Sequence, residues 1–314
     1  MSDAAETVPT ANELLARTSI FPQSTPEYVC HYTTIEGARA ILESRKLRAT
    51  DVSYLNDASE YIYADTLISE ITNEQLTDPA LESLKPVIQS DPRKLGFNVF
   101  AACFCQRSDL LSQWRAYASG VTGYGLEFNW KRLVRILALQ RGSDLLAGKV
   151  EYELPEQAAL IKAVLQPHLE RLQTSNLEAP IKELASSLAD PQNLYTKTHE
   201  LVQERLTAHL IQTMTGLTIL RAFLKSPTFS EESEWRAVVI RDDTSASPQF
   251  RTSRGVLVPY HEFDLGPPAD MPISRIIVGP GPHPKLAKAS LERLLQKLDL
   301  ARIRVDASPI PLTL

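Results

Sequence analysis

The chain has 314 residues, 43% of them hydrophobic and 23% charged, which is enough for one large domain or two ordinary ones with a sizeable core. The formal net charge of −5 gives no support for nucleic-acid binding. No apolar run approaches the roughly 18 residues of a membrane span, and no signal peptide is recognisable. The odd count of three cysteines predicts reduced thiols in the cytoplasm.

The first half of the chain mixes strand and helix patterns. After a leader at 1–26 that contains a short helix, we expect a single α+β domain over 27–314. The predicted elements are a strand at 28–32, a helix from 35 opened by a capping box of Thr33 and Glu36, a strand at 47–50, a helix from 57 to about 71, a strand at 98–105, a helix at 110–118, a strand at 123–128, a basic helix at 131–140 and a strand at 149–152.

The composition changes at 154–225, where Gly216 is the only glycine and Ala, Leu, Glu and Gln dominate. This stretch predicts a helical insertion of three helices. Strand patterns resume afterwards at 234–240, 256–261, 275–278 and 301–305, with an amphipathic helix at 285–298 before the last strand. Runs of strands interrupted by clustered helices favour an α+β fold with a mixed or antiparallel β core and flanking helices.

The segment 232–236 carries the most informative pattern. Because side chains alternate along a strand, Glu232, Glu234 and Arg236 share one face, which continues as apolar Val238 and Ile240. This predicts a strand whose polar end opens into a cleft. Two crowded carboxylates raise the pKa of one of them, and a nearby arginine offsets that effect. The alternative is a solvent face with a structural ladder of acids and arginine.

Other candidates lie further along the chain. His31 ends the first strand before a helix, which suits a side chain in a groove, or else a core or capping histidine. Tyr54 stands in a polar loop, where it stacks on a flat ligand ring or packs over the next helix. Trp114 and Tyr117 share a short helix and line or pack the same groove, and Glu127 is a further candidate carboxylate. The six histidines and three cysteines form no metal-ligand pattern, so no metal is expected.

The order of these segments resembles a bacterial family called domain of unknown function 2971, over about residues 27 to 312. The motifs that carry the resemblance are His31-Tyr32-Thr33-Thr34, Tyr54-Leu55-Asn56-Asp57, Cys103-Phe104-Cys105 with Trp114, Tyr117 and Gly125, Glu232-Ser233-Glu234-Trp235-Arg236, Ile276-Ile277-Val278-Gly279-Pro280 and Ser308-Pro309-Ile310-Pro311.

The layout is also similar to the ADP-ribosyltransferase fold, in which a first-strand histidine, a tyrosine in the next segment and a late-strand glutamate form the active site. This resemblance implies that His31 holds a ribose hydroxyl of NAD, Tyr54 stacks on nicotinamide, and Glu234 is the catalytic carboxylate. Glu232 takes the place of an acid that activates the acceptor. The full set implied to bind NAD is His31, Tyr32, Thr33, Tyr54, Asn56, Trp114, Tyr117 and Arg236.

The function expected from this resemblance is an NAD-consuming enzyme that cleaves the nicotinamide–ribose bond, with a macromolecule or water as acceptor. NAD is then a substrate, and the chain needs no metal and no membrane partner. Two alternatives stay open. One is a non-catalytic module that binds a nucleotide or peptide in the same groove. The other is a hydrolase that pairs Glu232 or Glu234 with Glu127 at roughly 5 to 10 Å.

Overall fold

The computed structural model shows a mixed α+β protein with a mostly antiparallel, open sheet and several helices. It describes residues 9–16, 18–55, 58–82, 84–90, 93, 97–117, 123–141, 145–174, 205–242, 247–253 and 255–311. Asn56 and the middle of the helical insertion, residues 175–204, lie outside the described residues. None of the helices in the described segments is both long enough and apolar enough to cross a bilayer.

The helices of the described residues flank the sheet and fill the insertion. They are α1 (Ala11–Leu15), α2 (Ile35–Ser44), α3 (Ala58–Gln75), α4 (Pro79–Glu82), α5 (Lys85–Ile88), α6 (Leu111–Tyr117), α7 (Trp130–Arg141), α8 (Leu154–Thr174), α9 (Arg205–Arg221) and α10 (Pro284–Lys297), with 3₁₀ helices η1 (Val52–Tyr54) and η2 (Pro227–Glu232). The predicted helices that flank the sheet agree closely with these bounds because each carries an apolar repeat at helical spacing.

The strands form one sheet across the described part of the chain. They are β1 (Tyr28–Thr33), β2 (Lys46–Asp51), β3 (Phe97–Cys105), β4 (Tyr124–Asn129), β5 (Leu145–Lys149), β6 (Glu234–Asp242), β7 (Gln249–Ser253), β8 (Val256–Asp264), β9 (Ile273–Val278) and β10 (Arg304–Ala307). The order is β10-β9-β4-β1-β3-β2-β8-β7, with β6 on β3 and β5 on β6. Only the β9–β10 pair is parallel among these strands.

The sheet forks at β3. One edge of β3 pairs with β6 over its whole length, from Phe97 to Cys105. The other edge meets β1 at Cys105 and meets β2 at Phe100 and Ala101. Cys103 therefore lies at a gap where β1 and β2 separate, and this gap positions the candidate site.

Two hydrophobic clusters lie on opposite faces of the sheet. Val99, Ala101 and Val238 face a cluster closed by α1, α3, α8 and α9. Phe100 and Val239 face the other, closed by α2, α7 and α10. Strand β6 is therefore covered on both faces, and the insertion helices α8 and α9 supply part of the core.

The described part of the predicted leader is packed against the insertion. Ala11 and Leu15 of α1 are 1% and 0% exposed and belong to the cluster that contains α8 and α9. The Ala11 N–H donates a hydrogen bond of 2.9 Å to the Gln212 side chain on α9. These residues therefore contribute to the core of the domain.

Three local predictions are wrong. Helix α2 is capped by Thr34, whose hydroxyl accepts from the Gly37 N–H at 3.2 Å, so the predicted capping box of Thr33 and Glu36 does not form. Glu232 ends a 3₁₀ helix and is not in β6. The predicted strand at 149–152 lies earlier, as β5, because its register on β6 runs only from Leu145 to Lys149.

Candidate functional site

A small crevice lies in the fork of the sheet. Its volume is about 60 Å³, and residues from both faces of β3 line it, as expected for a gap through the sheet. The lining residues are Cys30, His31, Tyr32, Cys103, Phe104, Cys105, Gln113, Tyr117, Glu232 and Glu234. Strands β1, β3 and β6 and the helices α6 and η2 thus contribute side chains to one place.

His31 bridges the fork. Its Nδ1 lies 2.9 Å from the carbonyl oxygen of Cys103, the residue of β3 that faces the gap. An N–H at Nδ1 donates this bond, and the ring packs edge-on against Phe104 at 5.9 Å between centroids. Burial lowers the pKa of His31, and the hydrogen bond to Cys103 opposes this effect only in part. The imidazole is therefore neutral at pH 7 and held in one orientation.

Glu234 is a buried carboxylate at the start of β6, 5% exposed. Arg236 donates hydrogen bonds to both of its oxygens, from Nε to Oε1 and from Nη2 to Oε2, each at 2.8 Å. The Nζ of Lys225 lies 3.3 Å from Oε2. Burial raises the pKa of Glu234, but the charges of Arg236 and Lys225 outweigh burial and hold it below its usual range. Glu234 is therefore ionised and fixed.

Glu232 reaches the same crevice from η2. Ser233, between the two acids, has φ 44°, a left-handed conformation that turns the chain before β6 begins. The predicted alternation of Glu232 with Glu234 on one strand face is therefore wrong. Lys225 nevertheless brings the two carboxylates together, because its Nζ also donates to Glu232 Oε2 at 2.7 Å. The side chain of Glu232 is 25% exposed, so it lies nearer to solvent than Glu234.

Lys225 is the residue of this site that the sequence pattern missed. It follows the buried run Ala222, Phe223 and Leu224 after α9 and is itself 3% exposed. Its Nζ also lies 4.9 Å from the ring centroid of Phe229. The sequence did carry one indication of its role, because Lys225 is a charged residue that directly follows an apolar run and precedes Ser226-Pro227. Together Lys225 and Arg236 carry two positive charges beside the two negative charges of Glu232 and Glu234.

Helix α6 presents Gln113 and Tyr117 to the crevice and anchors itself through Trp114. The indole Nε1 of Trp114 donates to Asp109 Oδ1 at 2.7 Å, and its ring packs edge-on against Tyr32 at 4.7 Å. Trp114 is 2% exposed and is not among the lining residues. It is therefore a support for the crevice wall.

Two glycines make room for the indole. A Cβ at Gly125 would lie 3.1 Å from Trp114 Cη2 and 2.8 Å from the Cys30 sulfur. A Cβ at Gly279 would lie 2.7 Å from Trp114 Cε3. The close approach of β4 and of the turn after β9 to this ring depends on the missing side chains.

Tyr32 lines the crevice with its ring and fixes the loop before α6 with its hydroxyl. That hydroxyl donates to the Arg107 carbonyl at 2.8 Å and accepts from the Leu110 N–H at 2.9 Å. Burial raises its pKa, so it remains a neutral phenol. Its polar group is thus used within the protein.

The remaining candidates lie elsewhere. Tyr54 is 44% exposed on η1, and Thr33 ends β1; neither is among the residues that line the crevice. Glu127 on β4 accepts from Arg275 Nη2 at 2.7 Å and also lies outside the crevice lining. The structure thus brings His31, Tyr32, Tyr117, Glu232 and Glu234 together.

The three cysteines belong to strands β1 and β3 beside the crevice. Burial raises the pKa of Cys105 to about 11 and the pKa of Cys30 well above its usual range, so both are protonated thiols at pH 7. In the described segments, no three His, Cys, Asp or Glu side chains gather in a way that suits a metal ion.

Comparison with known proteins gives one match. No curated protein and no solved structure matches the chain significantly. The family model described as "Protein of unknown function (DUF2971)" matches residues 113–237, a segment that contains Gln113, Tyr117, Glu232 and Glu234 of the crevice. The resemblance to this family is therefore confirmed over this segment, which includes four of the ten residues that line the crevice and both of its acids.

Proposed function

We propose that the crevice is the active site of an NAD-consuming, ADP-ribosyltransferase-like enzyme that cleaves the nicotinamide–ribose bond. The observation that supports this proposal is the convergence of His31 from the first strand with Glu234 from a late strand in one crevice. A forked, mostly antiparallel sheet with flanking helices is compatible with a β core of the ADP-ribosyltransferase type, which is part of the same proposal.

Glu234 has the properties that this chemistry requires of its carboxylate. Breaking the nicotinamide–ribose bond develops positive charge on the ribose, and a fixed anion stabilises that charge. Glu234 stays ionised because Arg236 and Lys225 lower its pKa, and Arg236 fixes both of its oxygens. In a buried site such a preorganised charge has a larger effect than in water.

Glu232 and His31 take separate roles in the proposal. Glu232 is more exposed than Glu234, so an acceptor hydroxyl or water can reach it and lose a proton to it. His31 is neutral and held in one orientation by Cys103, which suits a hydrogen bond to a ribose hydroxyl. The acceptor, whether a macromolecule or water, is left open by these contacts.

Tyr117 replaces Tyr54 as the aromatic partner of nicotinamide in this proposal, because Tyr117 lines the crevice. The volume of about 60 Å³ is well below the roughly 300 to 1,000 Å³ of typical small-molecule sites. NAD binding therefore requires the crevice to widen, and movement of Tyr117 and Gln113 on the seven-residue helix α6 would do this.

Nicotinamide release tests the proposal directly. We expect the full-length chain to release nicotinamide from NAD labelled in that ring, and Glu234→Gln to lower the rate on the order of a hundredfold or more. Glu262→Gln is the matched control, because Glu262 pairs with Lys46 at 2.6 Å on a distant strand. Thermal unfolding of both variants shows whether they are folded. An unchanged rate in folded Glu234→Gln, or no release by the parent chain, contradicts the proposal.

A second candidate function is binding without turnover. The contacts of Arg236 and Lys225 with Glu234 favour it, because two cations beside this carboxylate weaken the field that it exerts on a substrate. This function predicts saturable NAD binding with no release of nicotinamide. His31→Ala then weakens the binding, whereas the enzyme proposal requires turnover as well.

A further inference from the structure

One buried amide in the crevice has no partner within the described part of the chain. Gln113 on α6 is 6% exposed and lines the crevice together with the acids Glu232 and Glu234. Its side-chain carboxamide makes no hydrogen bond to any of the described residues. Because buried polar side chains are hydrogen-bonded in the large majority of cases, an unpaired one requires an explanation.

The carboxamide of Gln113 opens onto the crevice. Its oxygen and nitrogen keep some contact with solvent, whereas an unpaired buried atom such as Nε2 of His168 is sealed from it. Gln113 and Tyr117 lie four residues apart on α6, so they occupy the same face of this helix, and both line the crevice. The unpaired donor and acceptor of Gln113 are therefore within reach of a ligand that enters the crevice.

The neighbouring polar groups are already engaged within the protein. Arg236 and Lys225 bind Glu234, and Lys225 also binds Glu232. The hydroxyl of Tyr32 donates to one backbone carbonyl and accepts from one backbone N–H. Gln113 offers a ligand both a donor and an acceptor, which none of these side chains does.

We propose that Gln113 is a specificity-determining residue that recognises a primary amide of the ligand, namely the carboxamide of nicotinamide; the identity of this ligand group rests on the proposed function. A carboxamide carries a donor and an acceptor side by side, so it can form two hydrogen bonds with the matching groups of Gln113. The crevice should therefore discriminate NAD from its deamidated form, in which nicotinic acid replaces nicotinamide.

The carboxylate of nicotinic acid fits this environment poorly. It can accept a hydrogen bond from the Gln113 nitrogen, but it leaves the Gln113 oxygen unpaired beside an anion. It also adds a negative charge to a crevice that Glu232 and Glu234 already line. Both effects favour the amide over the acid.

Binding of free nicotinamide and free nicotinate to the full-length chain tests this inference without any turnover. We expect the parent to bind nicotinamide about tenfold more tightly or better, and Gln113→Met to reduce this preference to about threefold or less, because it removes both hydrogen-bonding atoms. Ligand-observed nuclear magnetic resonance measures both affinities. Gln296→Met is the matched control, since Gln296 is exposed on α10 and lies outside the crevice lining. It should keep the preference of the parent.

The free energy of unfolding distinguishes recognition from a structural role. Because Gln113 has no partner among the described residues, Gln113→Met should not lower the free energy of unfolding. Urea unfolding measures it. A marked loss of stability in this variant would assign the side chain to the packing of α6 and overturn the inference.

The result is separable from that of the proposed function. If the chain releases nicotinamide from NAD but binds nicotinamide and nicotinate equally, the enzyme proposal stands and the role of Gln113 is overturned. If it releases no nicotinamide but prefers nicotinamide to nicotinate through Gln113, the enzyme proposal fails and amide recognition stands. Binding of neither compound, a preference that persists in Gln113→Met, or an equal loss of preference in Gln296→Met also overturns the inference.

Discussion

Lys225 connects two carboxylates that a strand pattern alone would place side by side. The alternation rule correctly put Glu234, Arg236 and Val238 on one face, because that rule depends only on local strand geometry. It failed for Glu232, since Ser233 adopts φ 44°, a conformation that few residues other than glycine, Asn or Asp adopt. The apolar run before Lys225 could have drawn attention to this residue, but its contacts with both carboxylates depend on the turn at Ser233, and no local pattern predicts that turn.

Removal of the Lys225 charge is a test of the buried network. We expect Lys225→Met to lower the free energy of unfolding by about 3 kcal/mol, because it leaves Glu232 and Glu234 with one cation fewer in a buried place. Urea unfolding measures the change. Lys46→Met is the control, since Lys46 and Glu262 form a partly exposed pair that should contribute less than about 1 kcal/mol. Equal effects of the two substitutions would contradict a special role for Lys225.

Elements with strong periodicity were predictable, and the edge strand β7 was not. Helices α2, α7 and α10 and strands β3 and β6 agree closely with the sequence pattern, because each carries a long buried stripe. Strand β7 was not predicted, since its residues are mostly exposed or half-buried at the edge of the sheet. Edge strands lack the apolar alternation on which the prediction depends.

Helix α6 depends on the fit of Trp114 against Gly279. We expect Gly279→Ala to lower the free energy of unfolding by about 1 to 3 kcal/mol, because the new Cβ would lie 2.7 Å from the indole. Leucine at position 114 is smaller than the indole and relieves that clash. Gly279→Ala should therefore lower the free energy of unfolding by less in a Trp114→Leu background than in the parent chain. Denaturant unfolding of the two single variants and the double variant forms the cycle that measures this coupling. If the changes in the free energy of unfolding of the two single variants add up to that of the double variant, Gly279 is not required to make room for the indole.

At the scale of the whole molecule, the fold class was predictable and the fork was not. The order of strand and helix patterns was enough to predict an α+β protein with a mostly antiparallel sheet. The fork depends on β1 and β2 meeting the same edge of β3 at different heights, at Cys105 and at Ala101. No single segment of the sequence indicates such a long-range register. The sequence could therefore predict several of the residues that converge at the crevice, but it could not predict the fork in the sheet that forms it.

The insertion joins the rest of the molecule through a core that contains a pair of histidines. Nδ1 of His168 on α8 lies 3.0 Å from Nδ1 of His209 on α9, so one ring donates a hydrogen bond from its Nδ1–H and the other accepts it. His168 is 0% exposed, and within the described residues its Nε2 has no hydrogen-bond partner. Burial, followed by the charges of His209 and Arg171, lowers the pKa of His168 to about 4. The folded protein therefore resists protonation of His168.

The stability of the protein should depend on pH through this pair. An unfolded His168 binds a proton near its ordinary pKa of 6.5, whereas the folded one does so only near 4, so stability is complete above about pH 6.5 and is lost as the pH falls towards 4. His31 and His261, whose pKa values burial also lowers, act in the same direction. Glu234 acts in the same direction at lower pH, because its pKa is held below the ordinary 4.5 and the stability that it supplies is lost only as the pH falls below about 4.5.

A comparison of His168→Leu with the parent chain isolates the contribution of the pair. We expect the parent to lose about 2 kcal/mol more of its free energy of unfolding than the variant between about pH 7 and pH 5, because the variant has no proton to take up at this position. Urea unfolding at each pH measures the difference. His283→Gln, which replaces an exposed histidine outside the insertion, is the matched control. Parallel stability curves for the parent and His168→Leu would mean that α8 and α9 separate before the pair titrates, and that the insertion unfolds independently of the sheet.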